Sequence, residues 1–210
     1  MTQETRACRA TLSGMQFVLV GLGNPGDEYE STRHNTGRDF CSFVVKKVDG
    51  DTLETDKKSN SLLSEVKVGK HKGVVALPQT YMNKSGAAVK ALVKSKKAAE
   101  NLVVAYDDID LPLGSIKISY GRSSGGHNGV ESVIKALGTR DFVRLRIGIA
   151  PSTPSGKPKK PSGEKAIIDF LMGKRKPAED ETLKKIFKKS FEALEAIVAD
   201  GREIAMGKFN

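Results

Sequence analysis

The 210-residue sequence holds only two cysteines, Cys8 and Cys41. One lies near the N-terminus and the other in an expected helix, so no disulfide framework is indicated and a reducing compartment fits. No apolar run approaches the ~20 residues needed to cross a bilayer. Met1 to Met15 carry Arg6, Arg9 and Glu4 without an apolar core, which does not match a secretory leader. A flexible tail is expected there, as either a weak organellar presequence or an appended segment before Met15. Histidine is scarce as well: His34, His71 and His127 show no paired spacing and no cysteine cluster accompanies them, a poor basis for a metal site. A G-x-S-x-G elbow for a serine nucleophile is absent, and so is any internal repeat.

What is present is a globular composition, 38% hydrophobic and 29% charged, long enough to bury a core without staples. The net charge is +10 and the isoelectric point about 9.5. That balance fits an anionic partner, nucleic acid first, and equally a lysine-rich solubilising surface.

Strand and helix patterns interleave throughout. Phe17 to Val20 reads as a buried strand, with Gly21, Gly23 and Gly26 permitting a tight turn and close backbone approach. A helix is expected over Thr36 to Val48, where Phe40, Phe43, Val44 and Val48 share a face. Asp49 to Ser59 reads as loop. Strands are expected at Leu62 to Val68 and Gly73 to Leu77, followed by a helix from Lys84 to about Lys97 with Ala87, Ala88, Ala91, Leu92 and Ala98 inward. Leu102 to Tyr106, Ile116 to Tyr120 and Phe142 to Ile149 read as further strands, with a helix around Val130 to Leu137. Pro151 to Gly163 is a long basic loop, Glu164 to Met172 a short helix, and Ala178 to Asp200 a last helix with a lysine-rich outer face. The expected fold is α/β: one domain over residues 16–210, a sandwich with a central mixed, mostly parallel sheet flanked by helices.

Four polar clusters follow four expected strands: Asn24 with His34, Met82 with Asn83, Asp107 with Asp108, and His127 with Asn128. Sites in open α/β sheets form beyond the carboxyl ends of strands, so these clusters are expected to converge. Each has a plainer reading, as a turn asparagine, a helix N-cap, a solvated strand end or a loop histidine. His34 precedes a helix N-terminus, whose partial charge disfavours imidazolium and favours a general base. G-L-G-N-P-G matches the dinucleotide fingerprint literally, but Pro25 removes an amide, and D-E-Y-E places carboxylates where a phosphate would lie. A histidine, an aspartate and several amides remain, a set able to hydrolyse an activated ester. Whether Asp107 orients the histidine cannot be derived from spacing.

G-L-G-N-P-G, T-R-H-N-T-G, T-Y-M-N-K-S-G, D-D-I-D-L-P-L-G, G-G-H-N-G and R-L-R-I-G-I occur in that order. Together they resemble the bacterial-type peptidyl-tRNA hydrolase family, from about Phe17 to the last helix. The resemblance implies cleavage of the ester between a peptide and the 3′ end of tRNA, with no cofactor and no metal. It implies His34 as base and Asp107 as its orienting carboxylate. Asn24, Tyr29, Met82, Asn83, His127 and Asn128 are implied as substrate-binding, with His127 in a supporting part. Arg146 matches a tRNA-phosphate contact whose usual lysine partner aligns with Ser119, so Lys117 or Arg122 is expected to compensate. Lys157, Lys159, Lys160, Lys174, Arg175 and Lys176 are expected to add salt-sensitive phosphate contacts. A cytoplasmic monomer is the default expectation, with an organelle as the alternative location. A non-enzymatic RNA-binding splicing cofactor on the same scaffold is the rival reading.

Overall fold

The computed structural model describes residues 16–210; the expected N-terminal tail and Cys8 lie outside them. The strands are β1 (Phe17–Gly21), β2 (Glu54–Asp56), β3 (Ser61–Val68), β4 (His71–Pro78), β5 (Leu102–Pro112), β6 (Ile116–Tyr120) and β7 (Val143–Ala150). The helices are α1 (Thr36–Lys47), α2 (Ser85–Leu92), α3 (Lys96–Ala99), α4 (Asn128–Leu137), α5 (Glu164–Met172), α6 (Pro177–Ala199) and α7 (Arg202–Phe209). Short 3₁₀ turns cover Asp27–Tyr29, Arg33–Asn35 and Met82–Lys84.

The seven strands form one sheet in the order β2-β3-β4-β1-β5-β7-β6. β4, β1, β5 and β7 pair in parallel, while β2–β3, β3–β4 and β6–β7 are antiparallel. Five strands therefore point one way and two the other, the mixed, mostly parallel sheet that was expected. Alternation along the buried strands divides the core. Leu19, Val103, Ala105 and Leu145 pack with Phe40, Val44, Phe187 and Leu194 of α1 and α6 on one face. Val20, Val104 and Tyr106 pack with Val89 of α2 and Val130 and Val133 of α4 on the other.

α1 lies close enough to the sheet to require glycine. A Cβ on Gly37 would fall 2.2 Å from the Ala105 carbonyl oxygen, and one on Gly21 would fall 2.6 Å from the Gly37 carbonyl. This contact sets the height of the turn that precedes α1, and so of His34.

Several expectations are corrected. The Asp49 to Ser59 loop contains β2, which extends the sheet by pairing with β3. The helix expected from Lys84 to Lys97 stops at Leu92 and resumes as α3, capped by the Ser95 hydroxyl. Its inner face is Ala88, Val89 and Leu92, with Ala87 and Ala98 exposed. In an alanine-rich segment the larger side chains decide which stripe is buried. β5 runs six residues past Tyr106 to Pro112, so Asp107 lies inside a strand, paired with Ile147. After α6 a further helix, α7, packs Ala205 and Phe209 into the core.

Candidate active site

The loop after β1 folds back on the turn before α1. Asn24 donates its backbone N–H to Asn35 Oδ1 at 2.8 Å, and Asn35 Nδ2 donates to the Asn24 carbonyl at 2.9 Å. The Asn24 side-chain oxygen accepts the Met82 N–H at 2.8 Å. This bond ties the β1 loop to the turn after β4 and leaves the Asn24 amide NH₂ as a donor. Asn35 was not among the expected residues, although it adjoins His34 in the same motif. The glycine loop leads into the single 3₁₀ turn Asp27–Tyr29 and no α-helix, so it lacks the row of amides a pyrophosphate needs.

His34 lies in the Arg33–Asn35 turn, with its Nδ1 2.9 Å from Asp107 Oδ2 and 3.1 Å from Oδ1. His127 reaches the same carboxylate, Nε2 to Oδ1 at 3.2 Å, and its Nδ1 accepts the Val130 N–H at 3.2 Å. The two bonds fix the His127 tautomer, since Nδ1 acts as acceptor and Nε2 must carry the proton. His127 thus N-caps α4, the place that the plainer reading gave to Asn128, which is instead the first helical residue. By the same reasoning His34 carries its proton on Nδ1. Its Nε2 takes no hydrogen bond among the described residues.

Burial opposes a charged imidazole at His34, but the charge and hydrogen bond of Asp107 outweigh it and raise its pKa above 6.5. The expectation that the helix N-terminus disfavours imidazolium is therefore overturned by the nearer carboxylate. Burial would likewise push Asp107 up; His34 first, then His127, hold it well below the usual carboxylate range. Tyr106, whose ring centroid lies 4.7 Å from that of His127, is pushed up to about 12, chiefly by burial. Although no spacing suggested it, His34, Asp107 and His127 offer nitrogen and oxygen atoms within 4.8 Å of one another, near enough to hold a metal ion. In this structure those atoms bond each other.

The route by which His127 arrives differs from the expectation. Three clusters lie at the carboxyl edge of the parallel strands, but β6 runs antiparallel and ends at Tyr120 beside Val143, the start of β7. The glycine-bearing loop from Gly121 to Gly126 carries the chain back along the sheet. Buried Arg144 donates to the Arg122 carbonyl and to the Ser123 carbonyl, the latter at 3.2 Å.

A groove of about 710 Å³ joins this centre to cationic side chains, lined by His34, Asp107, Asn128, Lys117, Arg122 and Arg146 among others. Arg146 pairs with Asp108, Nε to Oδ2 at 2.6 Å. Directly across the strands from Arg146 stands Lys117, while Ser119 is buried opposite Arg144. The remaining expected residues are more scattered. Met82 is buried against Gly129 at the start of α4. Asn83 is exposed on the 3₁₀ turn. Tyr29 packs edge-on to exposed Tyr81, centroids 6.4 Å apart. Asn24, Tyr29, Met82 and Asn83 do not line the groove, and Asn24 lines a separate cavity with Arg38 and Arg175.

Among the expected phosphate contacts, Arg175 is withdrawn. Its side chain is 7% exposed and paired with Asp39 at 2.6 Å and Asp180 at 2.7 Å. Lys174 bonds the Glu30 carbonyl, and Lys160 of the 151–163 loop meets Asp110 at 2.6 Å.

A family model described as peptidyl-tRNA hydrolase matches residues 18–210. The peptidyl-tRNA hydrolase of Syntrophotalea carbinolica is 39% identical over 197 residues, covering 92% of this chain and 96% of that protein. The Aquifex aeolicus protein of the same name is 40% identical over 193 residues, covering 90% and 93%. The crystal structure of peptidyl-tRNA hydrolase from Acinetobacter baumannii superposes with a TM-score of 0.82 at 30% identity, covering 93% of this chain and 96% of that one. With a family model spanning nearly its whole described length and relatives near 40% identical along it, the chain belongs to the peptidyl-tRNA hydrolase family.

Proposed function

We propose that the chain hydrolyses the ester joining a peptide, or another N-substituted aminoacyl group, to the 3′ end of tRNA. One observation carries the assignment of the base. His127 has both ring nitrogens engaged, whereas His34 has Nδ1 fixed by Asp107 and Nε2 unbonded at the groove. Neutral His34 takes a proton at Nε2 from water, whose oxygen attacks the ester carbonyl carbon. Charge develops on the carbonyl oxygen, and the Asn24 amide donates to it. Collapse of the tetrahedral species breaks the carbon–oxygen bond, and imidazolium gives its proton to the departing 3′-oxygen, which leaves as the hydroxyl. Asp107 stays ionised and stabilises imidazolium in between. Asn128 steadies the water, while Asn83, Met82 and Tyr29 accompany the peptide end.

Arg146 and Lys117 hold a tRNA phosphate, with Arg122 beside them. Lys117 thereby takes the part of the lysine whose position Ser119 occupies in this chain. No helix among the described residues is long and apolar enough to cross a membrane. We propose a cytoplasmic monomer that needs no metal. The family model and the relatives above all carry the hydrolase name, and none favours the splicing-cofactor reading.

The test is release of a labelled N-acetyl-aminoacyl group from tRNA, with His34→Ala beside the unaltered chain, in EDTA and at two salt concentrations. His34→Ala should lose at least about a hundredfold in kcat, with unchanged circular dichroism. Turnover should survive EDTA and weaken with salt. Near-full activity of His34→Ala removes the base assignment; tight tRNA binding without cleavage removes the enzymatic reading.

A further inference from the structure

The turn bearing His34 is three residues long and runs directly into α1. Its side chains leave in three directions. Asn35 locks to the Asn24 loop, and His34 to Asp107 on β5. Arg33 reaches away from the groove towards the C-terminal helices. Its Nε and Nη2 lie 2.8 Å from the two Glu179 oxygens. Its Nη1 donates to the carbonyls of Phe170 at 3.1 Å and Gly173 at 3.3 Å. The guanidinium carbon lies 4.5 Å over the Phe170 ring.

Backbone bonds run alongside. Arg33 N–H donates to the Gly173 carbonyl at 3.2 Å, and Arg175 N–H to the Ser31 carbonyl at 2.8 Å. Arg175 Nη1 donates to the Thr32 carbonyl at 2.7 Å. The connector between α5 and α6 therefore lies as a strap across residues 31–33.

We propose that Arg33, gripped by Glu179 and this strap, is a positioning residue for His34. It sets the tilt of the turn so that Nδ1 meets Asp107 and Nε2 faces the groove. The inference rests on His34 being the base. A two-pronged pair of this kind fixes orientation as well as distance, and a lysine ammonium cannot reproduce it. Release of Arg33 lets the turn rotate, lengthens the 2.9 Å bond to Asp107, and moves Nε2 off the water. The strap thus makes the reactivity of a residue near the N-terminus depend on packing of the C-terminal helices.

The variants are Arg33→Lys, Glu179→Gln and Gly173→Ala. The last acts by contact, since a Cβ there would fall 2.8 Å from Arg33 Nη1, and its φ of −67° is ordinary for any residue. Each is compared with the unaltered chain and with His34→Ala for kcat, KM, the pH profile and the NMR titration of the His34 ring. Arg33→Lys should lower kcat by roughly ten- to a hundredfold, the other two less. KM should stay within about twofold, since uniform binding is untouched. The His34 titration should move down as its coupling to Asp107 weakens. Unchanged kcat in all three variants overturns the proposal, whatever happens to Tm, and so does a kcat loss with an unmoved His34 titration. An inactive His34→Ala beside fully active strap variants defeats this inference alone. A fully active His34→Ala defeats the base assignment and this inference together.

Discussion

His34 and His127 share the Asp107 carboxylate, with ring centroids 5.0 Å apart, yet only His34 has a ring nitrogen left for chemistry. The difference lies in the far side of each ring. His127 turns its second nitrogen to the Val130 N–H at the start of α4. His34 turns its second nitrogen to the groove. Two histidines in similar surroundings are thereby divided into one that organises and one that can accept a proton.

Asp107→Asn should separate orientation from pH dependence. With the carboxylate gone, burial is left as the main influence on His34, so its pKa should fall from its raised position. The acid limb of the kcat/KM profile, lying above pH 6.5 in the unaltered chain, should move to lower pH. The rate on the plateau should fall by about a hundredfold or more. A profile measured from pH 5 to 9 decides it, and an unmoved limb would show that another group sets it.

The same couple links stability to pH. His34 titrates higher in the folded chain, so its contribution is complete below pH 6.5 and is lost as pH rises through the raised value. Asp107 titrates lower, so its contribution is present above the ordinary carboxylate range and is lost as pH falls. In Asp107→Asn, urea unfolding free energy should depend less on pH on both sides. Undiminished dependence would place it in other groups.

His127 has two roles that substitution can part. His127→Ala removes the cap of α4 and should cost about 1 kcal/mol along with some activity. In His127→Asn the side chain can still cap, so stability should be largely retained while the support to Asp107 is lost. Equal stability loss in both variants would show that capping is not what His127 contributes.

Gly37→Ala should destabilise the chain by about 3 kcal/mol, because the added carbon meets the Ala105 carbonyl and the Tyr106 Cα at 2.2 and 2.8 Å. For a chain of this size that is a fall of roughly 6–12 °C in Tm. Scanning calorimetry would reveal an unchanged Tm if α1 can lift from β5 freely.

Lys117→Ala and Arg146→Ala should each raise KM for full-length tRNA substrates and reduce the slope of log KM against log salt by about 1. An unaltered slope in both groove variants would remove them from the phosphate contact.

Much of the site was legible because it is carried by short contiguous segments. Asn24, His34, Met82 and Asp107 each stand in a motif next to a strand whose apolar run announces it. Asn35 was equally visible in T-R-H-N-T-G, but its part follows from a tertiary contact, the closure of its side chain on the Asn24 loop. Arg175 read as a phosphate contact and Arg33 drew no reading, because their partners Glu179, Asp39 and Asp180 are mostly far away in sequence. A cap was the plainer reading of Asn128 because asparagine commonly is one; only the direction of the His127 ring shows which residue fills that place.

The sequence by itself determined the alternation of strands and helices, since apolar periodicity is a local property, and it placed three of the four polar clusters at the carboxyl edge of the parallel strands. Tertiary structure alone decided the antiparallel run of β6, and with it the returning loop that delivers His127 and the pairing of Lys117 with Arg146. It also decided which histidine keeps a free nitrogen, and whether Asp107 or the helix end governs the His34 charge. Those outcomes depend on distances between residues such as His34 and Asp107, 73 positions apart, and electrostatic and hydrogen-bond energies follow separation in space.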